Sequence, residues 1–421
     1  MHFSIPEIKE VKEGKGSSYM VYNIYINGIF HCNVRYSQLY ILNESLKEVH
    51  GSQNLPYFPP KKFFTLTKCQ LEERQYYLEK YLQTISQKNE LVYSSILRRF
   101  LFLSQQKSAS NYHCENDLII WLLNGTQISI KVSLDDNSEC VLQKVCDHLR
   151  IPQEVVHYFS LFVQRQYENG EYQLIHCLQD YECPMLTLRN LYGQNKIVIR
   201  KSYWDSALDL KLMLDRSTLN LLYAQTVSDI ERGWIITNKD VEEQLAILQS
   251  RGAKREYLEI ARTLTYYGYI RFDGCTSDYP EPGIETVVSI GQKDLIFSPK
   301  SDYVSEREKK FRITRIRCWK IIPLSEFNNE VQLSFEYLIN SNKLQWITII
   351  SEYVFLLSVC LQASVDELML KKTGNLKNTV QKSKSKEVAG HNNLKKHLSS
   401  QLYFVPLLEN DSFENIGDDD L

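Results

Sequence analysis

The sequence predicts an α+β protein built from several domains, and three observations lead to that fold class. Two Asn-Gly dipeptides, at positions 27–28 and 124–125, each separate two strand-like segments, which is the strongest short-range signal for a β-hairpin. Residues 204–268 have the apolar periodicity of successive helices. From Tyr269 onward, short strand-like segments alternate with turn residues. A chain of 421 residues exceeds one ordinary core, so about three domains are expected.

The first unit, residues 1–108, contains the first hairpin and three predicted helices. The segments SSYMVYNIYI and IFHCNVR are its two strands, so Arg35 lies at the end of a strand. Helical spacing follows at 36–49 and 70–86. A further helix at 91–103 is expected to close the unit.

The second unit, residues 113–203, begins after a polar joint at 104–116. Its hairpin, DLIIWLLNGTQISIKV, precedes the amphipathic helix SECVLQKVCDHLRI and the strand-like YFSLFVQRQ. More strands follow and end near KIVIRKSYW. Two strands, a helix and further strands are the order of a ubiquitin-like fold.

A helical unit at 204–268 and a strand-rich unit at 269–372 follow. In the helical unit, VEEQLAILQ and REYLEIARTLTYY are strongly periodic. The strand-rich unit has seven or so short strands and a closing helix at about 352–370. This order indicates a sandwich of the pleckstrin-homology (PH) or phosphotyrosine-binding (PTB) kind.

The last segment, residues 373–421, is expected to be disordered. Residues 371–397 hold eight lysines and one acid, whereas residues 409–421 carry six acids and no base. The acidic end resembles a docking tail, although charged termini are commonly only solubilising.

Composition points to a cytosolic protein. No stretch reaches about 18 uncharged apolar residues, and the start MHFSIPEIKEVKEGKG has no apolar core, so neither a membrane span nor a signal peptide is predicted. The ten cysteines include no CxxC pair, which favours buried reduced thiols without disulfides or zinc. Although the net charge is −2, residues 1–107 hold 14 Lys and Arg against 9 Asp and Glu. Anionic lipid would attract that unit.

The short stretch 35–74 has the layout of a phosphate-binding site. A phosphorylated inositol needs guanidinium and ammonium donors, which Arg35, Lys61 and Arg74 could supply, and an aromatic face, which Tyr36 could supply. The alternative for each cation is a solvated surface charge, and neighbouring glutamates could pair with Arg74 within its helix.

The proline-rich run LPYFPPKK carries part of this site. Because it cannot form a helix or a central strand, we expect a stiff extended arm that brings Lys61 to the ligand. Tyr57 and Phe58 would point outward beside Lys62, which suits contact with a membrane surface.

Six motifs are distributed over nearly the whole chain: VRYSQL (34–39), FPPKKFF (58–64), YGYIRFDGC (267–275), RIRCWK (315–320), CLQASVDELMLKK (360–372) and ENIGDDDL (414–421). Together they resemble the PX–FERM sorting nexins. PX domains bind phosphoinositides, and a FERM module comprises ubiquitin-like, helical and PH/PTB-like lobes. Gln38 replaces an acidic residue that many PX domains carry, but Arg35 and Tyr36 are intact.

The resemblance implies four folded domains and a lipid ligand. Residues 1–108 would be the PX domain, and 113–203, 204–268 and 269–372 the three FERM lobes. The PX domain would bind phosphatidylinositol 3-phosphate on the cytosolic face of early endosomes. The site residues it implies are Arg35 for the 3-phosphate assisted by Ser37, Tyr36 stacked on the inositol ring, Lys61 for the 1-phosphate and Arg74 for the ring hydroxyls.

The resemblance also implies a peptide site in the PH/PTB-like lobe. The strand around 315–320, with Cys318 and Trp319, would pair with NPxY or NxxY motifs of receptor tails by β-augmentation. Val365 and Met369, four apart on the closing helix, would face the same groove. The alternative for Trp319, Val365 and Met369 is ordinary core packing.

The terminal segment is implied to dock the retriever recycling assembly, so that captured receptors return to the cell surface. The residues concerned are Asn415, Ile416, Gly417, Asp418, Asp419, Asp420 and Leu421.

No residue pattern indicates catalysis or a cofactor. His113-Cys114 and His176-Cys177 are adjacent pairs, and neighbours on a strand point to opposite faces. Phosphate-binding glycine loops, HExxH and nucleic-acid-reading modules are missing from the sequence. We therefore expect a monomeric adaptor that is not an enzyme. The competing hypothesis is a FERM-type membrane–cytoskeleton or small-GTPase signalling scaffold.

Overall fold

A computed structural model describes most of the chain, in two compact units. The first comprises residues 1–149 and 160–200, and the second comprises 150–159 together with the described part of 201–421. The described residues are 1–13, 17–62, 64, 66–109, 116–168, 170–300, 308–323, 331–340, 343–372 and 402–404.

The PX region is a three-stranded antiparallel sheet followed by helices. The predicted first hairpin is confirmed: Asn27 and Gly28 form its two-residue turn, both with positive φ (51° and 78°), as a type I′ turn requires. Strand β1 was not predicted, because charged residues interrupt its apolar pattern. The elements are β1 (Phe3–Glu13), β2 (Ser17–Ile26), β3 (Ile29–Arg35), α1 (Tyr36–His50), α2 (Lys68–Ser86), α3 (Asn89–Val92) and α4 (Ser95–Ser108).

Side chains of α2 cover the outer edge of β1. The Gln75 amide donates to the Ile5 carbonyl (2.5 Å), and the Glu79 carboxylate accepts from the Ile5 N–H (2.7 Å). One turn later, Gln83 accepts from the Phe3 N–H (2.8 Å). Spacing of four residues places the three side chains on one face of α2, so they satisfy backbone groups that a sheet edge would otherwise leave unpaired.

The ubiquitin-like lobe has a five-stranded sheet in the order β5-β4-β8-β6-β7, with β4 and β8 parallel. Its hairpin is confirmed, but residues 122–126 form a wider loop than a two-residue turn, in which Leu122 N–H bonds to the Thr126 carbonyl (2.8 Å). The elements are β4 (Asn116–Trp121), β5 (Gln127–Val132), α5 (Ser138–Leu149), β6 (Phe159–Gln166), β7 (Tyr172–Cys177), α6 (Pro184–Arg189) and β8 (Gln194–Lys201).

Two helices of the helical lobe, α8 and α9, begin at side-chain caps. Asp215 accepts from two backbone N–H groups at the start of α8, and Asn238 accepts from the Val241 N–H (2.9 Å) at the start of α9. The periodic segment REYLEIARTLTYY is not helical throughout, because its helix ends at Ala261. The helices are α7 (Asp209–Leu212), α8 (Arg216–Glu231), α9 (Lys239–Ser250) and α10 (Lys254–Ala261).

The PH/PTB-like lobe is an eight-stranded antiparallel sheet in the order β12-β11-β10-β9-β15-β14-β13-β16, with one long helix. The first seven strands and the helix were predicted, and the eighth was not. The elements are β9 (Ile270–Ser277), β10 (Ile284–Gly291), β11 (Asp294–Pro299), β12 (Lys309–Arg312), β13 (Ile316–Pro323), β14 (Val331–Asn340), β15 (Lys343–Ile350), α11 (Val354–Lys372) and β16 (Leu402–Phe404).

Candidate phosphate site and candidate peptide edge

Arg35 stands where β3 passes into α1. Its extended backbone (φ −81°, ψ 155°) makes it the N-cap of α1, and its N–H donates to the Gln38 side-chain oxygen (2.7 Å). Gln38 therefore performs a capping role here. The Arg35 guanidinium carbon lies 3.1 Å from the ring centroid of Tyr19, a residue on β2 that the sequence analysis missed.

Tyr36 connects the start of α1 to the proline-rich run. Its hydroxyl donates to the Pro59 carbonyl (2.8 Å), and its half-buried ring contacts Phe58 and Tyr40. Burial raises the pKa of the Tyr36 phenol above its usual value. Because this hydrogen bond fixes Pro59, it also fixes the approach of the arm that carries Lys61 two residues later.

Arg74 lies over the Tyr36 ring, with 4.3 Å between the guanidinium carbon and the ring centroid. The glutamates that could have paired with it have other contacts: Glu72 and Glu73 lie near lysines, and Glu79 accepts from backbone. Among the described residues, the buried Nη2 of Arg74 has no hydrogen-bond partner. Arg74 also interacts with the buried Tyr22: burial raises the pKa of the Tyr22 phenol, and the charge of Arg74 and a side-chain hydrogen bond oppose that rise.

The cationic residues of the proline-rich arm and Ser37 are accessible. Ser37 and Lys61 are exposed, and Lys62 lies 3.9 Å from Glu73 in a weak surface pair. The structure thus brings Tyr36 and Arg74 into contact, whereas the guanidinium of Arg35 contacts Tyr19.

The aromatic residues of the arm differ from the prediction. Tyr57 is outward, with 61% of its surface exposed. Phe58 is not: it packs edge-on against Tyr81 (4.9 Å between centroids) at the margin of the PX core, so the prediction of an outward Phe58 is wrong. Phe64, which the sequence analysis did not select, is 89% exposed. The available sequence signal was the pair of phenylalanines that directly follows two lysines.

The structure places Trp319 in the core instead of at the surface. Its indole is fully buried, and its Nε1 donates to the Ser358 hydroxyl on α11 (2.9 Å). The Trp319 side chain therefore cannot contact a bound peptide without rearrangement, which corrects that prediction. Its neighbour Cys318 is also buried, and burial raises the pKa of the thiol to about 11.

The two selected residues of α11 are placed differently. Val365 is buried, as the core-packing alternative predicted, whereas Met369 is half-buried one turn later. Met369 is thus the more accessible of the pair.

The edge of β13 is not open in this structure. Strand β16 pairs with it antiparallel, with Cys318 opposite Phe404, Trp319 opposite Tyr403 and Lys320 opposite Leu402. The prediction of disorder throughout residues 373–421 is therefore wrong at these three residues. Three consecutive strand-favouring residues in a polar segment were the sequence signal.

Two predictions lie largely or wholly outside the described residues: the lysine-rich segment at 371–397 and the acidic tail at 415–421. Within the described ranges, no helix is long and apolar enough to cross a membrane, and no group of three or more His, Cys, Asp or Glu side chains could hold a metal ion.

Four family models match consecutive parts of the chain. The PX domain model matches residues 22–104. The F1 lobe of the sorting nexin 17/27/31 FERM domain matches 116–204, and the F2 lobe of sorting nexin 17/31 matches 205–265. The sorting nexin 17 FERM C-terminal domain matches 268–369.

Full-length relatives are also similar. Sorting nexin-17 of Danio rerio is 42% identical over 400 residues, covering 91% of this chain and 85% of the relative. Sorting nexin-17 of Homo sapiens is 43% identical over 389 residues, covering 89% and 83%. Sorting nexin-31 of Mus musculus is 32% identical, covering 89% and 87%. The chain therefore belongs to the sorting nexin 17 family of PX–FERM proteins.

Proposed function

We propose that this protein is an endosomal sorting adaptor that reads a lipid and a receptor tail at once. Its PX domain would bind phosphatidylinositol 3-phosphate, and its PH/PTB-like lobe would bind NPxY or NxxY motifs. Its family supports the general role of a sorting adaptor associated peripherally with endosomes. Two weak contacts on one membrane reinforce each other through effective concentration.

The lipid half is supported by one observation: Arg74 lies over the ring of Tyr36, which directly follows Arg35 in the chain, and the buried Nη2 of Arg74 has no partner among the described residues. A phosphate or hydroxyl oxygen of the headgroup would supply the missing acceptor. Each charge-assisted hydrogen bond contributes about 1.5–3 kcal/mol, so two or three would account for specific headgroup binding. Exposed Tyr57 and Phe64 would enter the membrane surface beside Lys61.

Vesicle sedimentation tests this half. Arg35→Ala should remove most binding to vesicles containing phosphatidylinositol 3-phosphate and disperse the protein from endosomes in cells. Arg99→Ala is the matched control, because Arg99 is an exposed arginine of the same domain on α4. If Arg35→Ala binds as Arg99→Ala does, the lipid site lies elsewhere.

The peptide half rests on the edge of β13. A bound strand would gain affinity from backbone pairing and selectivity from side-chain pockets. The antiparallel pairing of β16 supports this assignment, since it occupies the same backbone groups that a peptide would use. A receptor tail would therefore compete with β16. Trp319 would support the edge from the core side, and Met369 is the accessible candidate on α11.

Calorimetry with an NPxY peptide tests this half. Met369→Ala should weaken binding several-fold while leaving lipid binding unchanged. Leu370→Ala is the control, because Leu370 is similarly half-buried but lies about 100° around the helix from Met369. Equal peptide affinity in the two variants would remove α11 from the site, and no binding by the parent protein would refute peptide recognition.

Retriever docking is proposed for residues 415–421 on the motif ENIGDDDL. Deleting these residues should abolish retriever pull-down and leave lipid and peptide affinities unchanged. Retained pull-down would show that the acidic end is dispensable.

A further inference from the structure

The C-terminal end of α11 contacts the start of the helical lobe through polar groups. Val365 is the last buried residue of α11, and residues 366–371 are all half-buried. The Glu367 carboxylate accepts from the backbone N–H groups of Trp204 and Asp205, each at 2.8 Å and each on a different oxygen. Glu367 thus joins the closing helix of the PH/PTB-like lobe to a segment that precedes it by 163 and 162 residues.

Lys371 completes a network with these groups. Its ammonium lies 2.9 Å from an Asp205 carboxylate oxygen and 3.3 Å from a Glu367 oxygen. Asp205 also accepts from the Ala207 N–H (3.0 Å). Burial disfavours the charged form of Asp205, but Lys371 and the Ala207 N–H favour it more, so the pKa of this carboxyl is below its usual value. The α11 network therefore consists of Trp204, Asp205, Glu367 and Lys371.

The contacts of this network fix the end of the helix. Glu367 and Lys371 are four residues apart, so they share one face of α11. Two charge-assisted hydrogen bonds to consecutive backbone N–H groups define a direction as well as a distance, and such bonds are stronger than neutral ones. Helix ends otherwise fray. The network therefore limits both movement and rotation of this turn.

Met369 lies midway between the two charged residues of the turn. Because each residue advances about 100° around a helix, a residue two positions from both Glu367 and Lys371 lies on the opposite side of α11. Met369 is half-buried there and is the accessible candidate of the proposed peptide site. The network thus holds one side of the turn, and the other side carries the methionine.

We propose that Glu367 is a positioning residue for the peptide site: it fixes the end of α11, and with it Met369, without touching the peptide. Affinity for an NPxY or NxxY motif then depends on a contact with the helical lobe as well as on the PH/PTB-like lobe. This inference rests on the proposed peptide function.

Calorimetry with an NPxY peptide tests the proposal through Glu367→Ala. If the released helix end occupies the competent position about 10–30% of the time, affinity falls about three- to ten-fold. Glu259→Ala is the control, because Glu259 is an exposed glutamate on α10, and it should bind as the parent does. Glu367→Gln keeps one oxygen acceptor and should lose less than the alanine variant.

Lys371→Ala is a milder variant, in case Glu367→Ala does not fold. It keeps both hydrogen bonds to the backbone and removes only the ion pairs, so it should weaken peptide binding about two-fold.

Two readouts separate positioning from a purely structural role. The loss caused by Glu367→Ala should shrink in a Met369→Ala background, because the side chain to be positioned is then missing. Hydrogen exchange should accelerate at the end of α11 and stay unchanged in β13 and β14, since only the last turns are released. Binding to lipid vesicles should not change.

The inference is overturned if Glu367→Ala binds the peptide as tightly as Glu259→Ala, if its loss is undiminished without Met369, or if exchange accelerates throughout the lobe. If Glu367→Ala does not fold, parent-like affinity of Lys371→Ala overturns it. Failure of the proposed function is a different result: the parent protein itself would not bind the peptide, whereas the exchange at the end of α11 would still respond to Glu367→Ala.

Discussion

Two sheet edges in this protein are covered in different ways. The edge of β1 in the PX domain is met by Gln75, Glu79 and Gln83, side chains of α2. The edge of β13 in the PH/PTB-like lobe is met by the backbone of β16, three residues long. The cover of β1 is anchored, because an adjacent face of α2 is part of the PX core. The cover of β13 has only three pairs, so a competing strand could replace it.

The element that covers an edge strand, more than the edge strand itself, decides whether that strand is available for binding. Both edge strands are held firmly from the core side, β1 by Phe3 and Ile5 and β13 by Trp319.

Trp319→Ala should destabilise the PH/PTB-like lobe by about 3–5 kcal/mol, because it removes a fully buried indole and leaves the Ser358 hydroxyl without its partner. Hydrogen exchange of β13 and thermal unfolding measure this. Trp346→Ala on β15 is the control, since Trp346 is 38% exposed, and should change stability far less. Equal melting of the two variants would contradict the buried position of Trp319.

Gln83→Ala should destabilise the PX domain by about 1–3 kcal/mol, because a buried backbone N–H at Phe3 loses its acceptor. Chemical unfolding reports the change. Gln87→Ala, at the exposed end of the same helix, should be nearly neutral. If both variants unfold alike, the α2 cover does not stabilise β1.

Replacing residues 402–404 by Gly-Ser-Gly should change the unfolding free energy by less than about 1 kcal/mol, because three backbone pairs barely offset loop closure. The same replacement should raise affinity for an NPxY peptide in calorimetry. Val-Thr-Val at these positions keeps strand propensity and should leave affinity unchanged. Unchanged affinity with Gly-Ser-Gly would mean that β16 and the peptide do not share the edge.

Glu79 gives a pH-dependent prediction for the PX edge. Burial raises the pKa of the Glu79 carboxyl above 4.5, against the opposing effect of the Ile5 N–H. Since the native state binds this proton more tightly than the unfolded chain, the stabilisation is complete below pH 4.5 and is lost as pH rises through the raised pKa. Glu79→Gln keeps an oxygen acceptor and should flatten this decline, as denaturation at several pH values would measure. A decline of the same slope in the variant would assign it to another group.

Local signals explain what could be predicted. The Asn27-Gly28 turn follows from backbone preference alone, since both residues tolerate the positive φ of a type I′ turn. Helices α1 and α2 follow from apolar periodicity. Arg35, Tyr36 and Arg74 were selected by residue type and spacing, and their role in binding a lipid stays a prediction.

Non-local contacts explain what could not. Tyr19 was missed because a ring under Arg35 is visible only once the register of β2 and β3 is known. Strand β16 pairs with residues more than 80 positions earlier, and no local pattern specifies such a partner. The burial of Trp319 likewise depends on Ser358 of α11.

The domain order, the first hairpin and the residue types of the candidate phosphate site could be read from the amino-acid sequence alone, because turn geometry, helical periodicity and side-chain chemistry are properties of short segments. The covering of the two edge strands, the burial of Trp319 and the contact of the Tyr19 ring with Arg35 became visible only in the folded protein. Those outcomes depend on strand register and on packing between residues that are far apart in the chain, and no short segment specifies either.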